Sequence, residues 1–108
     1  MITREQVEDC LTFIAESDSL YAEAKTEVER ASWLCKHVRA VCYLDTDREA
    51  KVDERKNEVE RHEKVAAAED RRILAILAFE KIKAERETKA LLIEVFRTLE
   101  SSRRAGIV

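Results

Sequence analysis

The chain contains no proline and a single glycine, Gly106, among its 108 residues. Because proline and glycine are the strongest helix breakers, their scarcity lets helical segments run long. It also excludes glycine-rich phosphate-binding loops, which need several glycines close together. Aromatic residues make up only 6% of the chain, whereas charged residues make up 40%. Such a composition is typical of long helices and coiled coils, so we predict an all-α protein.

The sequence also lacks paired cysteine motifs and long apolar runs. Its three cysteines form no C-x-x-C motif, and Cys35 and Cys42 lie too far apart for a disulfide within one helix. We therefore expect reduced cysteines and a cytoplasmic protein. The first 30 residues do not resemble a signal peptide, and the apolar run 73–79 is too short to cross a bilayer. We accordingly expect no membrane association.

Small and apolar residues recur at alternating spacings of three and four in the first half of the chain. They are Tyr21, Ala24, Val28, Ala31, Cys35, Val38 and Cys42. This pattern is that of a coiled-coil seam, in which one helix packs lengthwise against another. The pattern favours an antiparallel helical hairpin or coiled coil with a short N-terminal helix and a long C-terminal helix.

Local signals divide the chain into three predicted helices within a single domain, 1–108. Thr3 and Gln6 form a capping box that begins a helix over about 3–17. Asp45–Asp47 is the best turn candidate and separates a helix over about 19–44 from a long one over about 47–103. Whether Ser17–Ser19 breaks the chain between the first two helices stays open. In the long helix, a sparse stripe is expected to face the second helix: Val52, Val59, Ala66 and Ile73.

The later part of the long helix carries apolar residues around most of its circumference. One antiparallel partner cannot cover all of them, so we expect a core and a dimer surface there. The candidate residues are Ile73, Leu77, Phe79, Ile82, Leu92 and Phe96. A homodimer is therefore the expected assembly.

No residue cluster predicts catalysis, a cofactor or a metal. His62 and Glu63 lack the second histidine of an H-E-x-x-H zinc motif. A metal site needs His37, His62 and a cysteine to converge from different helices. Cys35 and His37 are two residues apart and so point to different helix faces, which disfavours a nucleophile–base pair. We predict that the protein is not an enzyme.

Charge is unevenly distributed although the net charge is only −3. Residues 1–30 carry three basic and eight acidic side chains, whereas residues 80–108 carry seven basic and five acidic ones. The C-terminal arginines have two interpretations. They complement the negative end of the helix dipole, or they contact phosphates or an acidic protein surface. The residues that the second interpretation singles out are Phe96, Arg97, Arg103 and Arg104.

Two short segments of the chain have distinctive residue patterns. One is the pattern Leu11-x-Phe13 with Tyr21-Ala-x-Ala24-Lys25. The other is an ending similar to I-E-x-W-R-[ST]-x-x-[SA]-x-x-R-A, and its matching residues are Ile93, Glu94, Phe96, Arg97, Thr98, Ser101, Arg104 and Ala105. Together these segments resemble a group of short helical bacteriophage proteins of uncharacterised activity, in which a tryptophan usually occupies the position of Phe96.

The resemblance implies a function but supplies no catalytic residues. Members of the group tend to be encoded among recombination and replication genes. It therefore implies an accessory protein of the infected host cell that binds a protein partner in phage or host DNA metabolism. A helical dimer that binds DNA directly is one alternative. Another is an acidic nucleic-acid mimic that inhibits a host nuclease or CRISPR-type defence complex, which the acidic N-terminal residues suggest: Glu5, Glu8, Asp9, Glu16 and Asp18.

Overall fold

The computed structural model describes residues 1–106, which form four α-helices and no β-strand. The helices are α1 (Arg4–Glu16), α2 (Asp18–Leu44), α3 (Val52–Glu60) and α4 (Glu63–Arg104). The all-α fold is therefore confirmed.

The capping box predicted at the start of α1 is present. The backbone N–H of Gln6 donates to Thr3 Oγ1 at 3.2 Å, and the backbone N–H of Thr3 donates to Gln6 Oε1 at 2.8 Å. Two backbone donors that would otherwise lack partners are thereby satisfied. Only Ser17 separates α1 from α2, and its backbone stays in the right-handed helical region. The question left open at Ser17–Ser19 is thus answered by an interruption of one residue.

The prediction of one long helix over about 47–103 is wrong, because the structure has two helices there, α3 and α4. The turn after Leu44 extends to Lys51, and α3 ends at Glu60. α4 then begins where His62 Nδ1 accepts a hydrogen bond from the backbone N–H of Lys64 at 3.1 Å. The break has a packing reason, because Val59 and Val65 both belong to the buried cluster around Cys42. In a continuous helix, residues six apart would point about 120° away from each other.

The chain divides into two compact units, whereas the sequence predicts one domain over 1–108. The terminal unit comprises residues 1–22 and the residues from Glu80 onward, and the central unit comprises residues 23–79. Each unit has its own buried cluster.

In the terminal unit, α1 packs against the later part of α4. Val7, Cys10 and Ile93 are buried together. The half-buried residues Ile2, Ile14, Leu92 and Phe96 pack against them. This core is built largely from aliphatic side chains with one aromatic ring.

Arg86 fixes the junction of α1 and α2 in the same unit. Its Nη1 donates to the Ile14 carbonyl at 2.9 Å and to Ser17 Oγ at 2.8 Å, and its Nη2 donates to Asp18 Oδ1 at 2.7 Å. The guanidinium also lies 4.9 Å from the centre of the Tyr21 ring. One α4 side chain therefore satisfies a carbonyl at the end of α1 and a carboxylate at the start of α2.

In the central unit, the predicted seam of α2 faces inward. Ala31, Cys35 and Cys42 are buried. Later α2 residues contact earlier α4 residues, since Cys42 packs with Val65 and Arg39 forms an ion pair with Glu69 at 2.9 Å. This order of contacts is compatible with the predicted helical hairpin.

The prediction that the residues of the heptad stripe all face α2 is wrong. Val59 is buried, but Val52 and Ile73 are each 55% exposed and Ala66 is exposed as well. The buried α4 residues of the central unit are Val65, Ala68 and Ala75. The break before α4 shifts the helical register, so the stripe that is continuous in the sequence does not continue along one packed face.

Candidate functional site

Three arginines line one cavity at the end of the terminal unit. Arg4 belongs to the first turn of α1, while Arg97 and Arg104 lie on the last turns of α4. The cavity has a volume of about 240 Å³. Its lining residues are Arg4, Phe96, Arg97, Glu100, Ser101 and Arg104. We call Arg4, Arg97 and Arg104 the arginine cluster.

The packing of Phe96 explains how the arginine cluster forms. Its ring is half-buried against the cluster of Val7, Cys10 and Ile93, which holds α1 against α4. Arg97 and Arg104 are seven residues apart, so two helical turns place them on the same face of α4. Arg4 is brought to them by the start of α1. The aromatic residue therefore contributes the packing, and the arginines contribute the charge.

The charges of the arginine cluster are poorly compensated by the rest of the described chain. Arg97 contacts Glu94 at 3.7 Å, and both side chains are 69% exposed. Such an ion pair contributes little in solvent. Within residues 1–106, Arg4 and Arg104 form no ion pair. Glu100 also lines the cavity, and its carboxylate is paired with Arg103 at 3.2 Å. An anion in the cavity would therefore meet this carboxylate as well as guanidinium groups that are available for charge-assisted hydrogen bonds.

Arg4 is also placed unfavourably for its own helix. The first turn of a helix carries the positive end of the dipole, where acidic side chains are stabilising and basic ones are not. Arg104 has the opposite relation to α4, because a cation in the last turn complements the dipole. Dipole complementarity thus accounts for Arg104 but not for Arg4. A bound anion between α1 and α4 would compensate the positive charges of both Arg4 and Arg104.

The structure brings some predicted site residues together and separates others. Arg97 and Arg104 share the cavity, and Phe96 lines it as well as packing against the buried cluster. Arg103 lies outside and forms an ion pair with Glu100 at 3.2 Å. Arg4 is the site residue that the sequence analysis missed. The sequence feature that could have pointed to Arg4 is that it is the only basic residue before Lys25.

The residues of the predicted dimer or core surface differ in exposure. Ile73 and Leu77 are 55% and 48% exposed. Four further members are half-buried, namely Phe79, Ile82, Leu92 and Phe96. Other large apolar residues of α4 are exposed, and these are Leu74, Leu91, Val95 and Leu99.

The cysteines and histidines form no cluster suited to a metal ion within residues 1–106. Cys10, Cys35 and Cys42 are all buried and free. Burial, together with the nearby Glu69 carboxylate, raises the pKa of the Cys35 thiol. A raised pKa disfavours the thiolate, which is the reactive form of cysteine.

None of the described helices combines the length and the apolar character that a membrane span requires. The chain matches no protein-family model, no curated protein and no solved structure.

Proposed function

We propose that this protein is a non-enzymatic phage accessory protein that binds a protein partner of DNA recombination or replication. The arginine cluster is the surface that recognises the partner. The observation that carries this proposal is the convergence of Arg4, Arg97 and Arg104 on one cavity with little internal compensation. A surface carboxylate cluster of the partner is the expected ligand, because guanidinium groups bind carboxylates through paired hydrogen bonds.

The positions of the phage-like ending support the same proposal. Four residues that match the ending line the cavity, and they are Phe96, Arg97, Ser101 and Arg104. A fifth, Ile93, is buried beneath them in the terminal unit. Five of the eight matching residues of the ending therefore belong to the cavity or to the core next to it.

Affinity capture with matched variants tests this function. The tagged protein, a triple Arg4→Ala/Arg97→Ala/Arg104→Ala variant and a control triple variant would be incubated with nuclease-treated lysates of phage-infected cells. The control, Arg48→Ala/Arg61→Ala/Lys81→Ala, removes the same charge from exposed positions outside the cavity. We expect the wild type and the control to retain a recombination or replication protein that the first variant loses. Equal retention by all three would contradict the role of the arginine cluster.

Direct DNA binding is the first alternative, because the same guanidinium groups can contact phosphates. It requires affinity for single- or double-stranded DNA that falls steeply as salt rises. Lack of any binding at low salt would remove this alternative while leaving the protein-binding proposal intact.

Inhibition by nucleic-acid mimicry is the second alternative, and the acidic face of α1 favours it. Glu5, Glu8, Asp9 and Glu16 are exposed and recur at helical spacing. Asp18 does not belong with them, because it is paired with Arg86. Changing the four exposed residues to their amides should abolish inhibition of a host nuclease or CRISPR-type complex. Unchanged inhibition would contradict the mimic mechanism.

Self-association through α4 is a further part of the proposal, since Ile73 and Leu77 leave apolar surface exposed. Sedimentation equilibrium of the wild type and of a Leu77→Lys variant tests it. We expect a homodimer that the lysine weakens, in a protein that acts in the cytoplasm of the host. A monomeric wild type at all concentrations would contradict self-association.

A further inference from the structure

The interruption between α1 and α2 departs little from helical geometry. Ser17 has a φ of −89° and a ψ of −1°, which lie in the right-handed helical region. Its N–H donates to the Phe13 carbonyl and its carbonyl accepts from the Tyr21 N–H, each at 2.9 Å. Neither glycine nor proline occurs between residues 4 and 44. The backbone at this junction is therefore close to that of an uninterrupted helix.

Side chains occupy the carbonyl that an uninterrupted helix would use at the junction. In such a helix the Ile14 carbonyl would accept a hydrogen bond from the backbone N–H of Asp18. Here it accepts from Arg86 Nη1 at 2.9 Å and from Ser17 Oγ at 3.3 Å. Insertion of a side chain into the backbone hydrogen bonds is a known cause of helix kinks. These contacts thus hold the junction in its interrupted form.

Arg86 contacts the interruption from α4 at two further atoms. Its Nη1 also donates to Ser17 Oγ at 2.8 Å, and its Nη2 pairs with Asp18 Oδ1 at 2.7 Å. The Arg86 side chain is 20% exposed, so water competes less for its hydrogen bonds than it does at a fully exposed ion pair. The side chain that interrupts the helix therefore also ties α1 to α4.

Straightening the junction would restore backbone hydrogen bonds that the interruption removes. The N–H groups of residues 18–20 begin α2 and have no acceptor within that helix. In a continuous helix they would donate to the carbonyls of residues 14–16. Release of α1 would expose Val7 and Cys10, which are its buried residues. The motion therefore exchanges a short apolar contact for helix hydrogen bonds, and such a trade gives an element two discrete arrangements.

The position of α1 determines whether the arginine cluster is complete. Arg4 lies in the first turn of α1, whereas Arg97 and Arg104 lie on α4. The three residues line one cavity while α1 packs against α4. If α1 left α4 and continued α2 as one helix, Arg4 would move away and the two α4 arginines would stay.

We propose that α1 is a hinged arm, with Ser17 as its hinge and Arg86 as the latch that holds it on α4. The docked arm completes the arginine cluster, and the released arm removes Arg4 from it. A carboxylate ligand that contacts all three arginines binds only the docked arm and therefore shifts the equilibrium toward docking. This regulation rests on the proposed function of the arginine cluster, whereas the motion of the arm does not.

Relaxation-dispersion NMR of the isotope-labelled full chain tests the arm without any ligand. Arg86→Met keeps an unbranched side chain of similar length and removes every donor of the latch. We expect the population of a second state to rise by about tenfold or more over the wild type, because hydrogen bonds to a charged group are lost. The Cα shifts of α1 in that state should remain helical, as a continuous helix requires.

Further variants separate the latch from a general loss of stability. Arg86→Lys keeps the charge beside Asp18 but cannot reach the same set of acceptors, so it should raise the second-state population less than Arg86→Met does. Ser17→Ala removes the hinge hydroxyl and favours a continuous helix, so it should raise this population as well. Lys81→Met removes the same charge from an exposed position on α4 and should behave as the wild type.

Hexaglutamate is the probe for coupling between the arm and the arginine cluster. Saturating hexaglutamate should return the second-state population of Arg86→Met toward the value of the wild type, because the ligand favours the docked arm. The double variant Arg86→Met/Arg4→Ala should not show this return, since its arm no longer carries a group that the ligand contacts.

Four results would count against the proposal. Equal second-state populations in Arg86→Met and Lys81→Met would overturn the latch, and random-coil shifts of α1 in that state would overturn the hinge. A population that bound hexaglutamate leaves unchanged would overturn the regulation. Failure of the wild type to bind hexaglutamate would contradict the proposed carboxylate binding and the regulation with it, while the ligand-free measurement would still decide the hinge and the latch.

Discussion

The core of the terminal unit and the part of the central unit around Ala31 and Cys35 bury side chains of different size. The terminal unit buries Val7 and Ile93 and packs the ring of Phe96 against them. At the α2–α4 contacts of the central unit, the most buried residues are Ala31 and Cys35, with 1% and 2% exposure. Small residues let helix axes approach closely, because the distance between axes depends on the side chains at the contact. We therefore expect loss of side-chain volume to destabilise the terminal core, and added side-chain volume to destabilise the central unit near Ala31 and Cys35.

Removing volume from the terminal unit should have the largest effect. Ile93→Ala leaves a cavity next to Val7 and Cys10, and the free energy of unfolding should fall by about 2–5 kcal/mol. Urea denaturation followed by circular dichroism measures the change. Leu91→Ala, an exposed neighbour on α4, is the control and should change stability much less. Similar losses for both variants would contradict the placement of Ile93 in the core.

Adding volume to the central unit should have the next largest effect. Ala31→Leu places a larger side chain where the α2 backbone is closely covered, and we expect a loss of about 1–3 kcal/mol. Ala40→Leu on the exposed part of the same helix should stay within about 0.5 kcal/mol of the wild type. If Ala31→Leu raised the stability instead, the side chains around Ala31 would not be closely packed.

Acidification should weaken the central unit through Glu69. Hydrogen bonds from Arg72 and from Arg39 lower the pKa of this carboxyl. The stabilisation is fully present above the pKa that Glu69 has in the unfolded chain, and it is lost as pH falls through the lower folded-state pKa. Glu69→Gln should therefore reduce the slope of stability against pH below about pH 5. Chemical denaturation at several pH values measures this slope, and an unchanged slope would contradict the assignment.

The smallest expected change in stability is an increase, unlike the losses above. Arg4→Gln removes a cation from the positive end of α1 and from the arginine cluster, so stability should rise by about 0.3–1 kcal/mol. Arg104→Gln should have no such benefit, because Arg104 complements the dipole of α4. Thermal and urea unfolding of both variants tests the difference. A destabilising Arg4→Gln would show that Arg4 contributes to folding rather than to binding.

Much of the helical architecture follows from local signals. The capping box at Thr3 is read directly from its two residues, and the seam of α2 contains the buried Ala31 and Cys35. The break before α4 was missed because neither proline nor glycine marks it. His62 supplies the accepting ring nitrogen there, and histidine is not a common cap residue. Tertiary packing of Val59 and Val65 on Cys42 outweighs the helical propensity of the sequence.

The candidate site was predictable only in part. Arg97 and Arg104 share a helix face by their spacing, which sequence periodicity shows. Arg4 joins them through packing between helices that are distant in sequence, and periodicity carries no information on that contact. Arg103 does not line the cavity, unlike its neighbour Arg104, because adjacent residues point in different directions on a helix.

The buried cysteines give the protein native reporters of local opening. Cys10 belongs to the terminal unit, whereas Cys35 and Cys42 belong to the central unit. A thiol reagent modifies a buried cysteine only when the surrounding structure opens, so its rate reflects the free energy of that opening. Mass spectrometry that follows each cysteine separately would therefore compare the opening of the two units in one sample, without introducing a single substitution.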